Sequence, residues 1–165
     1  MASGEGVWPQ AGSATGIDLT TELGEPVETF TEAVLEQVWR HTGSELRVSV
    51  WFCGDGEIAL LHGLWLDNPT PTDVISFPLE APDDAENHPE RAQGEIVVSV
   101  DTARRRAAEH GNSVRAELAL YLVHGALHLA GHDDRNDVAL TKMIDAERAI
   151  LSSLGMSVRQ RHDLE

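Results

Sequence analysis

An α+β fold is predicted from three features of the amino-acid sequence. With 165 residues and 41% apolar side chains, the chain is long and apolar enough to bury one hydrophobic core. Segments with the alternating pattern of β-strands fall early in the chain, whereas helical periodicity dominates later. No apolar run approaches the roughly 18 residues that a membrane span requires. We therefore expect a single globular domain over residues 17–165.

The N-terminal part of the chain is expected to lead from a tail into a strand and a helix. Residues 1–16 are rich in Gly, Ser and Ala, which predicts a loose, disordered tail. The segment IDLTTEL, residues 17–23, alternates weakly and predicts a first strand. Pro26 suits the first turn of a helix, and apolar residues then recur at helical spacing up to Gly43.

The rest of the chain predicts three strands and four helices. The strands are LRVSVWF (46–52), DVISFPL (73–79) and GEIVVSV (94–100). A short helix is expected from Glu57 to about Leu66, and the polar, acidic residues 81–93 predict a mobile loop. The later helices are expected over 101–110, from 112 or 113 to about 130, and over 137–154.

The charge and the cysteine content restrict the environment and the partners. The formal charge is −16 and the pI is near 4.7, which opposes non-specific phosphate contacts, so we expect neither DNA nor a membrane as partner. A high-salt cytoplasm is one hypothesis for this acidity. Cys53 is the only cysteine, which suits a reducing cytosol, and the N-terminal residues lack the pattern of a secretory signal. A cytoplasmic protein is therefore expected.

The segment HGALHLAGHDD, residues 124–134, has the spacing of a metal site. His124 and His128 are four residues apart on a predicted helix, so their Cβ atoms lie on one face, about 5–6 Å apart. Gly131 accepts the left-handed conformation that ends helices and lets the chain turn back. Asp134 could then supply a third ligand, since zinc accepts carboxylate oxygen as well as imidazole nitrogen. Three protein ligands leave a position for water, which is typical of catalytic zinc.

Two alternatives to this interpretation come from the same segment. His132 could be the third ligand, but it lies only one residue past the glycine, so we favour Asp134. The string H-x-x-x-H-x-x-G-x-x-D also has the spacing of the metzincin metal motif. In H-E-x-x-H enzymes the glutamate after the first histidine is the general base, whereas Gly125 stands there in this chain. A metallopeptidase is therefore disfavoured.

Three segments of the chain carry a family resemblance. HGALHLAGHDD matches the pattern H-G-x-L-H-L-x-G-[YF]-D-H, with a change at its end. TDVISFP (72–78) matches T-D-V-L-S-F-P, and GEIVVS (94–99) is close to G-D-I-x-I-S. Their order and separations also fit, so the chain resembles the YbeY family of bacterial metal-dependent endoribonucleases over roughly residues 17–155.

This resemblance implies both an architecture and an activity. The implied fold is a small mixed sheet packed against helices, with a zincin-like site that holds zinc or another divalent metal. The implied activity is single-strand-specific cleavage in ribosomal RNA processing, notably maturation of the 3′ end of 16S ribosomal RNA, and ribosome quality control. Ribosomal RNA and the small ribosomal subunit are the implied partners. By position, the metal ligands are His124, His128 and Asp134, while Asp133 and His132 fall on the family's aspartate and aromatic residue.

The chain departs from the family pattern in two places. At Asp134 a carboxylate replaces the family's third histidine and adds negative charge at the ion. Upstream, the family pattern N-x-x-Y-R, whose arginine is implicated in activity, becomes HGLWL (62–66). Trp65 stands for the tyrosine and Leu66 for the arginine, so a cation that could hold a scissile phosphate is missing. This favours an alternative function, a ribosome-assembly factor that binds without cutting and uses the metal as a structural pin.

Further residues are candidates for roles around the metal. A bound metal would polarise a phosphate oxygen or supply hydroxide, and a nearby carboxylate could move the proton. Asp133 is the nearest candidate for that catalytic role, with helix capping or support of a ligand as an equal alternative. Glu117, on the helix face of His124, is expected to be solvated rather than to support the ligands. The basic run Arg104–Arg106 is likewise expected to be a solvated face rather than an RNA contact.

Overall fold

A computed structural model describes residues 8–79, 91–160 and 163 of the chain. The predicted loop over 81–93 and the predicted tail over 1–16 therefore lie partly outside the described residues, at 81–90 and 1–7. The elements follow one another as β1 (Gln10–Ser13), α1 (Thr20–Leu23), α2 (Val27–Thr42), β2 (Val48–Cys53), α3 (Asp55–Leu66), β3 (Val74–Pro78), β4 (Gly94–Ser99), α4 (Val100–His110), α5 (Val114–Leu129) and α6 (Asp137–Ser153).

The four strands of the described residues form one mixed sheet in the order β1-β2-β4-β3. β2 is parallel to both of its neighbours, whereas β3 is antiparallel to β4. β2 and β4 lie in the middle because they are rich in β-branched and aromatic residues, which suit a buried pleated surface. The α+β fold class and the small mixed sheet are thus confirmed.

The larger hydrophobic core lies between one face of the sheet and the helices. Alternate residues of β2, namely Val48, Val50 and Phe52, point into it and are at most 1% exposed. α5 lies at the centre of the core and contacts α2, α4 and α6 as well as β3 and β4. Since α5 is held from several sides, its C-terminal end, which carries the two histidines, has a fixed place relative to the sheet.

On the opposite face of the sheet, α3 covers a smaller apolar cluster. Ile58 of α3 packs there with three strand residues, Cys53, Ile75 and Val97, so the thiol of Cys53 is buried. The outer side of α3 is apolar as well, and four of its side chains are 57–72% exposed: Leu60, Leu64, Trp65 and Leu66. No helix within the described ranges is long and apolar enough to cross a membrane.

The structure differs from the predicted tail at residues 10–13, which form the edge strand β1. Its sequence, QAGS, has no apolar alternation, so local patterning could not indicate a strand. The strand depends on parallel pairing with β2, in which Gly12 lies opposite Trp51. A Cβ atom at Gly12 would lie 2.9 Å from the Trp51 ring, so the glycine lets the indole lie against the edge strand.

The first strand predicted over residues 17–23 is wrong, because residues 20–23 form the helix α1. Two local features explain the difference. Asp18 Oδ1 accepts a hydrogen bond of 2.9 Å from the backbone N–H of Thr20, which favours a helical turn over a strand. Gly24 then ends the helix in the left-handed conformation, with φ of 68°.

Candidate metal centre

The end of α5 is built to bring a later residue back toward its histidines. The helix begins with Ser113 Oγ accepting from the Ala116 N–H at 3.1 Å, and it ends at Leu129. Gly131 follows with φ of 101°, a conformation that favours glycine, as the sequence predicts. The N–H of His132 donates to the carbonyl of Leu127 at 2.9 Å, so the returning chain is fixed to the last helical turn.

This turn places Asp134 beside His124 and His128. The two Nε2 atoms are 3.1 Å apart, and Asp134 Oδ2 lies 3.5 Å from that of His128 and 3.7 Å from that of His124. In a tetrahedral zinc site, ligand atoms about 2.0–2.1 Å from the ion are about 3.4 Å apart. The three atoms therefore fit one metal ion, and their side chains are 29–36% exposed, which leaves the group open on one side.

His124 is oriented from behind by Glu147 of α6. Its Nδ1 lies 2.6 Å from Oε1 of Glu147, whose side chain is only 4% exposed. A carboxylate can only accept, so the hydrogen is on Nδ1 and the lone pair of Nε2 faces Asp134 and His128. Burial lowers the pKa of His124, but the hydrogen bond and charge of Glu147 outweigh it, and the pKa is raised.

Glu147 is a candidate site residue that sequence analysis missed. It is separated from His124 by 23 residues, and no motif joins the two. One signal was present, since Glu147 lies four residues after Met143 and three before Ile150 on the buried stripe of α6. An acid on such a stripe needs a partner, because an unpaired buried charge is costly.

Glu117 was expected to be solvated, and this expectation is wrong. The residue is 1% exposed, and its carboxylate accepts a hydrogen bond of 2.6 Å from Asn112 Nδ2. His110 Nδ1 lies 3.5 Å from the same carboxylate oxygen. Glu117 is buried because its helix lies at the centre of the core, so nearly every face of α5 is covered.

His132 and Asp133 lie beside the candidate metal group without belonging to it. Among the described residues, the group that could hold an ion contains Asp134 and not His132, the alternative ligand. Asp133 turns toward its own loop, where it accepts from Arg135 Nε at 2.7 Å and from the N–H of Asp134 at 2.8 Å. The hydrogen bond from Arg135 holds the pKa of Asp133 below its ordinary value.

A cleft of about 410 Å³ opens beside the metal group, between α3, β3 and α5. His124 and His128 line one side, and His62 and Leu66 line the other. Leu66, at the position where the resemblance predicts an arginine, is 57% exposed. Among the described residues that line this cleft there is no lysine or arginine.

The arginines of the basic run 104–106 are paired with acids of other segments. The run Arg104–Arg106 is exposed, as expected for a solvated face, and each of its residues makes one ion pair. The pairs are Arg104 with Glu22 at 2.7 Å, Arg105 with Asp55 at 3.0 Å and Arg106 with Asp73 at 3.7 Å. These pairs tie α4 to other elements, so the run does not present three uncompensated charges to RNA.

Gly125 lies where α5 packs closely against the sheet. A Cβ atom there would lie 3.0 Å from Ile96 Cγ2 and 3.2 Å from Val74 Cγ2. A side chain at this position would require Ile96 or Val74 to shift, so the general base of an H-E-x-x-H peptidase is disfavoured in this packing.

Comparison with known proteins gives a consistent set of relatives. Residues 17–155 match the family model described as Endoribonuclease YbeY. Proteins named Endoribonuclease YbeY are 42% identical in a Synechococcus strain, 39% in Rhodopirellula baltica and 35% in Acidothermus cellulolyticus, over 61%, 70% and 83% of this chain. The chain spans 63% and 58% of the first two relatives and 90% of the third.

A solved structure shares the fold. The solution structure of a Thermotoga maritima protein superposes with a TM-score of 0.55 and 26% sequence identity. The match covers 88% of this chain and 89% of the Thermotoga chain.

Proposed function

Because this chain belongs to the YbeY family of endoribonucleases, we propose that it is a metal-dependent endoribonuclease that cleaves single-stranded RNA. The observation that carries the proposal is the group of His124, His128 and Asp134, whose ligand atoms lie within 4.8 Å of one another beside an open cleft. These three residues are the proposed ligands, and the proposed ion is zinc, which suits two imidazoles and one carboxylate. Another divalent ion is an alternative for the same set of atoms.

Each residue of the proposed site has a separate task. When bound, the ion supplies Lewis acidity toward a phosphate oxygen and toward water. Glu147 holds the ring of His124 in the tautomer that offers Nε2. Asp134 contributes a negative charge to the first coordination shell, which lowers the net charge of the centre relative to three neutral imidazoles.

Asp133 remains the proposed proton carrier. Its two carboxylate oxygens are turned toward Arg135 and the loop backbone, so the role requires a local movement of this loop. The Asp133→Asn variant should retain metal and lose cleavage by about 100-fold or more if the carboxylate moves a proton. Equal cleavage by this variant and the wild type would assign Asp133 to loop support.

The proposed biological substrate is ribosomal RNA, and the proposed partner is the small ribosomal subunit. This includes maturation of the 3′ end of 16S ribosomal RNA and a part in ribosome quality control, in the cytoplasm. The family motifs and the names of the relatives support this assignment. Incubation with small subunits that carry an unprocessed 3′ end, against the same RNA without protein, tests whether the subunit directs cleavage.

A non-cleaving assembly factor is the second candidate function, favoured by one specific observation. Leu66 stands at the family's arginine position, and no cation lines the described part of the cleft. In that case the ion pins the loop that carries Asp134 against α5, and RNA is held by contacts outside the cleft.

Metal content and chelator sensitivity separate the two candidates. We expect one zinc per chain in the wild type and in His132→Ala, and a loss of zinc in Asp134→Ala. Cleavage of a single-stranded ribosomal RNA fragment should stop when a chelator is added and resume when zinc is restored. Stoichiometric zinc without chelator-sensitive cleavage would reject the enzyme, and undiminished zinc in Asp134→Ala would reject the ligand assignment.

A further inference from the structure

The C-terminal segment, residues 156–160, contacts the support of the proposed metal ligands. We propose that this segment positions the metal centre, because Gln160 fixes Glu147 and Glu147 in turn fixes His124. The inference rests on the proposed function in that both concern the same ion. Gln160 is therefore assigned as a positioning residue, which acts through another side chain and does not touch the metal.

Both oxygens of the Glu147 carboxylate are used, and each faces a different partner. His124 Nδ1 lies 2.6 Å from Oε1, and Gln160 Nε2 donates to Oε2 at 2.9 Å. The carboxylate is almost completely buried, so it has lost its water and depends on these protein partners. Loss of the Gln160 bond would leave one oxygen free to rotate away from the geometry that His124 needs.

The main chain of the C-terminal segment is fixed next to Gln160. Gly155, with φ of 72°, ends α6 and sends the chain back along the helix. Val158 is 9% exposed and belongs to the main hydrophobic core. Asn112 makes two hydrogen bonds with the backbone of Arg159: its Oδ1 accepts from the N–H at 3.0 Å, and its Nδ2 donates to the carbonyl at 2.8 Å.

Asn112 also links the segment to the helix that carries the histidines. The same Nδ2 group donates to the buried carboxylate of Glu117 on α5 at 2.6 Å. Glu117 and Glu147 are both buried acids. Glu147 is bonded to Gln160 of the C-terminal segment, and Glu117 is bonded to Asn112, which contacts that segment. Both acids also line the same cavity, of about 170 Å³, behind His124. Because buried carboxylates need hydrogen-bond donors, the segment and Asn112 help to satisfy these two acids in addition to packing on the core.

The size of the effect should decrease with distance from the ion. Removal of a group that is bonded directly to a ligand costs about 10–100-fold in metal affinity. Glu147→Gln is such a change, because its amide cannot replace both acceptor oxygens. Gln160→Leu removes only the hydrogen bond to Glu147, at nearly constant side-chain volume. We therefore expect zinc to bind about 3–10-fold more weakly, which is less than the loss for Glu147→Gln.

The experiment compares zinc affinity in four full-length chains: the wild type, Gln160→Leu, Glu147→Gln and Arg159→Ala. Competition with a chromophoric chelator gives each dissociation constant. Arg159→Ala is the matched control, since Arg159 bonds to Asn112 through its backbone only and should bind zinc like the wild type. A second readout without metal is the Nδ1–H proton resonance of His124, which should be sharp in the wild type and broadened in Gln160→Leu.

The outcomes distinguish this inference from the proposed function. Weaker zinc binding in Gln160→Leu, with an unchanged Arg159→Ala, would support the positioning role. Equal affinity and an equally sharp His124 resonance in Gln160→Leu and the wild type would overturn it, while leaving the metal site intact. Failure of the wild type itself to bind zinc would overturn the proposed metal centre and this inference with it.

Discussion

The two walls of the cleft differ in their chemistry and in how well they are supported by the core. The histidine wall, formed by His124 and His128, carries the metal group that Asp134 completes, and it is backed by a buried carboxylate and by the centre of the core. The α3 wall, formed by His62 and Leu66, belongs to a helix whose outer side is apolar and exposed. In the proposed nuclease, metal binding and the holding of RNA would therefore depend on separate elements.

The largest expected effect comes from removal of a ligand from the histidine wall. His124→Ala deletes one of three ligands, so zinc affinity should fall by more than the roughly 100-fold upper range for a supporting residue. Cleavage should fall with it. Measured by the same competition titration, His62→Ala should bind zinc like the wild type, because His62 lines the cleft but lies outside the metal group.

Equal zinc affinity in His124→Ala and His62→Ala would contradict the difference between the two walls, since His124 would then matter no more for metal binding than His62. In the absence of zinc, circular dichroism of both variants serves as the folding control.

The next prediction concerns the free energy of unfolding, compared between a leucine near each wall. Leu127→Ala opens a cavity beneath the histidine wall, at a residue that is 0% exposed, and should lower the free energy of unfolding by about 2–5 kcal/mol. Leu64→Ala removes the same atoms from α3, where the side chain is 72% exposed, and should change it by less than about 0.5 kcal/mol. Urea denaturation measures both, and similar losses would show that α3 is covered in solution.

The smallest expected effect is a gain in RNA affinity from a substitution on the α3 wall. Leu66→Arg restores a cation in the cleft, and one added phosphate contact should strengthen binding of single-stranded RNA by about 2- to 5-fold at low salt. The slope of log affinity against log salt should steepen by about 0.7. Leu60→Arg adds the same charge to the same helix and is the control for net charge.

Identical gains in Leu66→Arg and Leu60→Arg would assign the effect to the overall charge of −16 rather than to the cleft. Fluorescence anisotropy of a labelled oligonucleotide provides the affinities, and cleavage rates under saturating RNA show whether the restored arginine also acts in the chemical step.

Much of the fold was predictable because its signals are local. β2, β3 and β4 each lie in a segment of apolar and β-branched residues, and the turn at Gly131 follows from the conformational freedom of glycine. The pairing of His124 with His128 follows from helical spacing alone, and the structure brings Asp134 to them as expected.

What could not be predicted depends on contacts between distant parts of the chain. β1 exists because β2 offers an edge, not because of its own sequence. Arg104 pairs with Glu22, and Glu147 bonds to His124, across separations that carry no periodic signal. The apolar stripe of α6 places Glu147 toward the core, but it does not identify His124 as the partner of this carboxylate.

The close contact at Gly125 has a consequence for the diversification of this fold. A change of one codon at this position would give the residue order of an H-E-x-x-H peptidase around the same three candidate ligands. The added Cβ atom would lie 3.0 Å from Ile96 and 3.2 Å from Val74, so these side chains would have to shift. Introduction of the new base would therefore be coupled to repacking of side chains on β3 and β4. A directed-evolution path from the proposed nuclease toward peptidase chemistry would therefore have to include the packing between α5 and the sheet.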